Sequence, residues 1–433
     1  MKKIDLSGAV AFLSNVPRRI RADRWLNESR RPGAWLTATL VGFAVFFTAL
    51  TLLLPKKSFS EKENRKLAER PAFSLSSLWD GSFTDGAERY FADHFFGRDA
   101  FSSVNLTFRA LTGQKENGGV WLGKKKTLFL IPSEPDETAL ERNLSAMDAF
   151  AAEYPEVNTY AALIPNACTV LKNRLPANAP APDQAAQLAR VSDALPHVWV
   201  LDPTEALEQR RDETIYYRTD HHWTSFGAYT AFLSFAPRMG IEAPITDYDV
   251  YPVSTVFTGT LASKSGRFNT CDTVELYVPK TDVLYAVTYY DQSDAVEKGA
   301  SMYDMEALEN RDKYTVFFGG NHPRVDIRTT AETGRRLLLF KDSYANCMVQ
   351  FLFPYFEEIV MVDPRYYYDN ASPLMTQHSI TDVLYLYNCD TFMTDTSIAD
   401  VLAAPAQSAA VQPQTVPAAE PSESEPAAET DAD

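Results

Sequence analysis

The chain has 433 residues, 45% of them hydrophobic and 23% charged, which excludes a disordered, collagen-like or multi-pass membrane protein. That length suits two or three domains, or one large α/β domain with insertions. A formal net charge of −16 excludes a general nucleic-acid binder, which needs a basic face.

Residues 1–33 carry eight basic side chains against three acidic ones (Asp5, Asp23, Glu28). Residues 34–54, AWLTATLVGFAVFFTALTLLL, then run without a charge. As a helix they reach about 31 Å, enough for the hydrocarbon core of a bilayer. A cleavable signal peptide fits poorly, because both the basic and the apolar stretch are too long and no A-x-A site follows. The basic flank precedes the span, so residues 1–33 are expected in the cytoplasm and the rest outside the cell membrane, held by a single pass through 34–54.

Residues 58–126 read as a membrane-proximal helical segment. Ala87, Tyr90, Phe91, His94 and Phe95 recur at helical spacing. From 127 short apolar runs alternate with helical stretches. The predicted strands are 127–131, 159–164, 198–201, 315–318, 336–340, 358–362 and 382–387; the predicted helices are 136–153, 182–194, 223–238, 344–353 and 372–379. Apolar strands separated by helices imply an α/β domain over 127–403, with a mainly parallel sheet covered on both faces. Residues 241–312, rich in Tyr, Thr, Val and Ser, break the rhythm and read as an inserted, partly β segment that could close over a site as a lid. Residues 404–433 hold no aromatic and no basic residue and are expected to be a disordered acidic tail.

The four cysteines, Cys168, Cys271, Cys347 and Cys389, form no CxxC pair. One or two disulfides and buried free thiols are both open readings.

Ligands in open α/β sheets bind beyond the carboxyl ends of the strands, and polar residues follow several of the predicted ones. Ser343 lies on the turn from RLLLF into a helix, where free N–H groups can stabilise an oxyanion; Asp342-Ser343 also suits a plain helix cap. Asp220 and His222, two positions apart in RTDHHW, supply an acid and a base to a common pocket. Asp220-His221-His222 also suits a metal, but no second His/Cys cluster supplies the remaining ligands, so neither metal nor cofactor is expected. Asn321 follows Gly319-Gly320 and can donate to an oxyanion; an ordinary glycine-rich turn is the alternative. Arg365 can bind an anionic group or pair with an acid.

Asp220-His221-His222-Trp223, with Lys341-Asp342-Ser343-Tyr344 and Asp363-Pro364-Arg365-Tyr366-Tyr367, resembles the bacterial DHHW protein family. Glu63-Asn64-Arg65 and the run from Tyr90 to Arg98 fit it too, so the resemblance spans about residues 58–390. The family is similar to the SGNH-hydrolase-like domains of the alginate O-acetylation proteins AlgJ and AlgX. The resemblance implies an SGNH-hydrolase-like three-layer fold with Ser343 as nucleophile, His222 as base and Asp220 as orienting acid. His221 falls outside that triad, and Asn321, Arg365 and Tyr344 are oxyanion or substrate candidates. Two features depart from the SGNH pattern. Lys341 stands where the serine motif usually has glycine, and the Asp-His pair lies upstream and two apart rather than three.

The implied activity is that of an O-acetyltransferase or esterase acting on a cell-surface polysaccharide, with a multi-span membrane acyltransferase supplying the acyl group. The alternative is a catalytically weak glycan-binding module of a cell-envelope acetylation complex.

Overall fold

In the computed structural model, which describes residues 24–60, 65–291 and 296–402, the chain separates into a first unit, Met1–Lys115, and a second, Glu116–Asp433. The basic stretch up to residue 23 and the acidic tail from 404 lie outside the described residues.

The second unit is built on one eight-stranded sheet. Its strands are β1 (Asn158–Ile164), β2 (Trp199–Leu201), β3 (Tyr285–Tyr290), β4 (Val296–Gly299), β5 (Arg324–Thr329), β6 (Arg336–Lys341), β7 (Glu358–Val362) and β8 (Asp382–Asn388). They lie in the order β4-β3-β5-β7-β6-β8-β1-β2. β7, β6, β8, β1 and β2 run parallel, and all five were predicted as strands. Period-2 alternation sends their apolar side chains to both faces: Leu337 and Leu339 join one core cluster, Leu338 and Phe340 the other. Helices Ser225–Phe235 and Tyr344–Leu352 cover the first face; Glu137–Glu153 and Gln184–Ala194 cover the second. These are the three layers of the expected α/β fold.

Beyond β7 the sheet turns antiparallel through β5, β3 and β4. The partly β segment 241–312 therefore divides in two. Tyr248–Phe257 and Asp272–Pro279 form a separate antiparallel hairpin, and β3 and β4 extend the main sheet.

Two predicted strands are placed differently. Residues 127–131 contribute Leu128–Leu130 to a small three-stranded antiparallel sheet with Glu116–Asn117 and Val120–Leu122. Residues 315–318 form no strand. Lys313–Val316 is a 3₁₀ turn, opened by the Asp312 carboxylate accepting the Tyr314 N–H at 3.2 Å. Its apolar side chains, Tyr314, Val316, Phe317 and Phe318, enter the core, and among the described residues its backbone pairs only through an isolated antiparallel bridge between Tyr303 and Phe317, while β5 takes the place in the sheet.

In the first unit, Arg24–Leu53 is one helix, and Gly33–Leu53 is long and apolar enough to cross a membrane. Phe59–Ser60 pairs with Arg65–Lys66, and helices Ser82–His94 and Arg98–Leu111 follow. The upstream motif residues knit this unit together. Asp93 accepts both Arg65 guanidinium nitrogens and the Ala68 N–H at 2.8 Å, and the Arg65 contact holds its carboxyl at about 2. His94 Nε2 lies 2.9 Å from the Ala68 carbonyl.

All four cysteines are free thiols; Cys271 is exposed and the others buried. Burial pushes Cys168 and Cys347 up to about 12, so neither offers a reactive thiolate near neutral pH. A thiol reagent should therefore modify only Cys271 in the folded protein and all four cysteines after denaturation, as read by intact mass. Modification of Cys168, Cys347 or Cys389 in the native state would contradict this packing.

Candidate active site

The site forms where two turns meet. The first is the tight turn from β6 into helix Tyr344–Leu352. Asp342 caps that helix, its Oδ1 accepting the Tyr344 N–H at 2.8 Å and its Oδ2 the Asn388 N–H at 2.9 Å. Ser343 makes no side-chain capping bond, so the cap falls to Asp342 and the Ser343 hydroxyl is left free for another partner. Among the described residues no acceptor meets the Ser343 N–H.

The second turn carries Thr219-Asp220-His221-His222. It is closed by an antiparallel bridge between Tyr216 and Trp223 and by the Tyr217 N–H donating to the His222 carbonyl at 3.2 Å. Asp272 holds its leading edge, accepting from the Arg218 N–H at 3.1 Å and from the Thr219 N–H and hydroxyl at 2.8 and 2.6 Å. Two bonds join this turn to the Ser343 helix. The indole N–H of fully buried Trp223 donates to the Tyr344 carbonyl at 3.0 Å, and the Tyr344 hydroxyl donates to the His221 carbonyl.

Ser343 Oγ lies 2.7 Å from His222 Nε2, and His222 Nδ1 lies 2.6 Å from Asp220 Oδ1. The Asp220 carboxylate also accepts the His222 N–H at 3.0 Å, the Thr260 N–H at 2.7 Å and the Thr260 hydroxyl at 3.0 Å. Burial disfavours its charge, but the two imidazoles and these donors outweigh burial and hold the carboxyl well below the usual range. An ionised carboxylate only accepts, so the proton between Asp220 and His222 sits on Nδ1, leaving Nε2 as an acceptor for the Ser343 hydroxyl. Tyr314 stacks on the His222 ring, centroids 3.9 Å apart and 14° from parallel, and its hydroxyl donates to the Ser343 carbonyl at 2.9 Å.

His221 Nδ1 lies 2.9 Å from Thr260 Oγ1, and 3.3 Å from Asp220 Oδ1. Burial, reinforced by His222, pushes its imidazole down to about 4, so it is neutral near pH 7. Asp220, His221 and His222 offer ligand atoms close enough for a metal, as do Asp326, Glu358 and His378 elsewhere. A cation at the first set would have to displace donors already filling Asp220. At the second, Arg324 and Arg328 already neutralise Asp326 and Glu358.

The remaining sequence candidates fall into a second network. Asn321 Oδ1 accepts the Lys341 ammonium at 2.9 Å and the Asn346 amide at 3.2 Å, and Asn346 Oδ1 accepts Lys341 at 2.9 Å. Lys341 also faces Asp363 at 3.5 Å. Burial draws the Lys341 ammonium down, and Asp363 resists. Arg365 is committed to Asp363 through two bonds of 2.8 and 2.7 Å. Tyr344, a substrate candidate by sequence, is instead buried, with its hydroxyl engaged. The backbone leading to Asn321 passes through Phe318, Gly319 and Gly320, all at positive φ (+64°, +70° and +122°), a left-handed run that two glycines accommodate.

Sequence reasoning missed Gly259, Thr260 and Tyr314, and did not give Lys341 its role as the group that orients Asn321. Gly259 packs so tightly on Asp220 that a Cβ there would sit 2.2 Å from Oδ2. Only the departure of Lys341 from the glycine of the serine motif was a usable signal.

Replacing Lys341 with Met should leave the amide oxygens of exposed Asn321 and buried Asn346 without their ammonium donor. Breaking one side of a buried polar network typically costs about 3 kcal/mol. Urea unfolding of K341M should show a loss of that size; a loss below about 1 kcal/mol would mean that the network is not needed for stability.

The model of the family described as DHHW protein matches residues 63–123 and 188–362, more than half of the chain. No curated protein matches. Among solved structures, a DHHW family protein from Eubacterium siraeum is 24% identical with a TM-score of 0.57, covering 66% of this chain and 95% of that one. Bacillus cereus PatB1, solved with a sulfonyl adduct, is 22% identical with a TM-score of 0.55, covering 64% of this chain and 96% of that one. The O-acetyltransferase domain of Pseudomonas putida AlgJ is a fainter likeness, 14% identical with a TM-score of 0.43, over 67% of this chain and 97% of that one. The chain thus shares its fold with the Eubacterium siraeum DHHW family protein and with PatB1.

Proposed function

The chain belongs to the DHHW protein family, and from that premise we propose that it is an acyl-transfer enzyme, an O-acetyltransferase or esterase working through Ser343, His222 and Asp220. The observation that carries this reading is the continuous hydrogen-bonded line from Ser343 Oγ through His222 to Asp220. A serine hydroxyl is a weak nucleophile until a base takes its proton, and the base must hold the right tautomer.

In the first step Ser343 Oγ attacks the acyl carbon and its proton passes to His222 Nε2. The imidazolium then protonates the departing alkoxide, leaving an ester on Ser343. In the second step His222 takes the proton of an acceptor hydroxyl, sugar or water, which attacks the ester; the imidazolium then returns that proton to the departing Ser343 Oγ, which regenerates the serine and neutral His222. The oxyanion of each tetrahedral intermediate is met by the Ser343 N–H at the helix N-terminus and by the Asn321 side-chain N–H, whose oxygen end Lys341 fixes. PatB1 was solved with a sulfonyl adduct, and a nucleophilic site accords with the reading.

The acetyl group, the cell-surface polysaccharide and a multi-span membrane acyltransferase as donor come from the family resemblance rather than from the site. Gly33–Leu53 serves as a membrane anchor, with residues 1–33 cytoplasmic and the rest extracytoplasmic. The domain reading stands alongside: a membrane-proximal segment over 58–126, the catalytic domain over 127–403 and an acidic tail from 404.

The test is turnover of a chromogenic acetyl ester by the detergent-solubilised chain, with adduct mapping after a serine-reactive phosphonate. S343A and H222A should abolish turnover above background, and D220N should lower it by a factor on the order of 10⁴. G259A should lower turnover by about 10² because Asp220 must shift to admit the methyl group. The adduct should map to Ser343 and disappear in H222A. Equal labelling with and without His222 would overturn the triad and favour the glycan-binding module.

A further inference from the structure

Helix Arg98–Leu111 leaves an apolar stripe uncovered in its own unit. Phe101, Val104, Phe108 and Leu111 recur at spacings of three and four and are 51%, 68%, 65% and 82% exposed. At about 100° per residue they fall within an arc of about 80°, and Arg98, Asp99 and Arg109 lie outside it. Soluble surfaces seldom leave such a patch bare.

The start of this helix is fastened to the apolar helix Arg24–Leu53. The Phe47 ring meets those of Phe95, Phe96 and Phe101 at centroid distances of 5.7, 6.1 and 5.5 Å. The Phe96 N–H donates to Thr51 Oγ1 at 3.0 Å, and Thr51 is buried in this contact. Phe47 and Thr51 belong to the last two turns of Gly33–Leu53, just before Pro55-Lys56-Lys57. In a membrane span, those turns lie where hydrocarbon gives way to headgroups.

We infer that helix Arg98–Leu111 lies in the plane of the membrane surface, with Phe101, Val104, Phe108 and Leu111 buried at the boundary of phospholipid headgroups and acyl chains. This rests on the reading of Gly33–Leu53 as a membrane anchor. The contacts to Phe47 and Thr51 set the depth, the stripe supplies the apolar face, and Lys56 and Lys57, just past the span, reach lipid phosphates.

The test uses the full chain in nanodiscs of phosphatidylcholine and phosphatidylglycerol, in a C271S background because the other three thiols are buried. An environment-sensitive fluorophore is placed singly on the stripe (V104C, F108C, L111C), on the polar side (S102C, R109C) and in the span (L40C). Lipids carrying a shallow doxyl quencher should quench the stripe positions at least twofold more than the polar ones, and a deep quencher should quench L40C. Quenching at L40C with no difference between the helix faces would overturn the in-plane placement and leave the anchor standing. Energy transfer between copies at the stripe without lipid quenching would overturn it in favour of a second copy of the chain. No quenching at L40C would overturn the anchor reading and the proposal with it.

Discussion

A 2.7 Å hydrogen bond from Ser343 to His222 spans 121 positions of sequence, and much of the second unit serves to make that distance short. Two groups so far apart in the chain meet only if both turns are held independently and then joined. The first turn is held by the parallel core of the sheet: β6 lies between β7 and β8, and its register sets where Ser343 leaves the sheet. Asp272 and the Tyr216–Trp223 bridge hold the second. Trp223, Tyr344 and Tyr314 then fasten one to the other, two by hydrogen bonds and the third by stacking on the His222 ring as well.

The site buries charge, and the fold meets that cost by saturating each charged group. Asp220 lies in the interior with donors from its own turn and from Thr260, carried by the end of the 248–279 hairpin. The segment that by sequence resembles a lid thus also supplies a wall of the site, with Gly259 flush against the carboxylate. On the other side, Arg365, Asp363, Lys341 and Asn321 form a chain of alternating donors and acceptors. A buried lysine in place of the usual glycine is tolerated because its ammonium finds three oxygen partners.

Most of this was legible in the sequence where local pattern suffices. The five parallel strands announce themselves as short apolar runs because both faces are buried; Ser343 stands in a motif at a strand end, and Asp220 and His222 in the run just before a helix. β5 was not legible: in RVDIRT, Arg324, Asp326 and Arg328 alternate with apolar residues, and Arg324 and Arg328 are taken up by Asp326 and Glu358. Residues 315–318 misled for the opposite reason, since an apolar run of strand length is equally suited to a buried turn. Thr260 and Tyr314 reach the site through tertiary packing from 40 and 29 positions away, and no periodicity marks such residues.

The central claim is that Ser343 carries the acyl group between donor and acceptor. Rapid acid quenching of the full chain during turnover of a ¹³C-acetyl ester, followed by peptide mass spectrometry, tests it most directly. The account predicts a labelled acetyl ester on the peptide containing Ser343, accumulating before the steady state and absent in H222A. Continued turnover with no acetyl on that peptide, or with the label on another side chain, would contradict it.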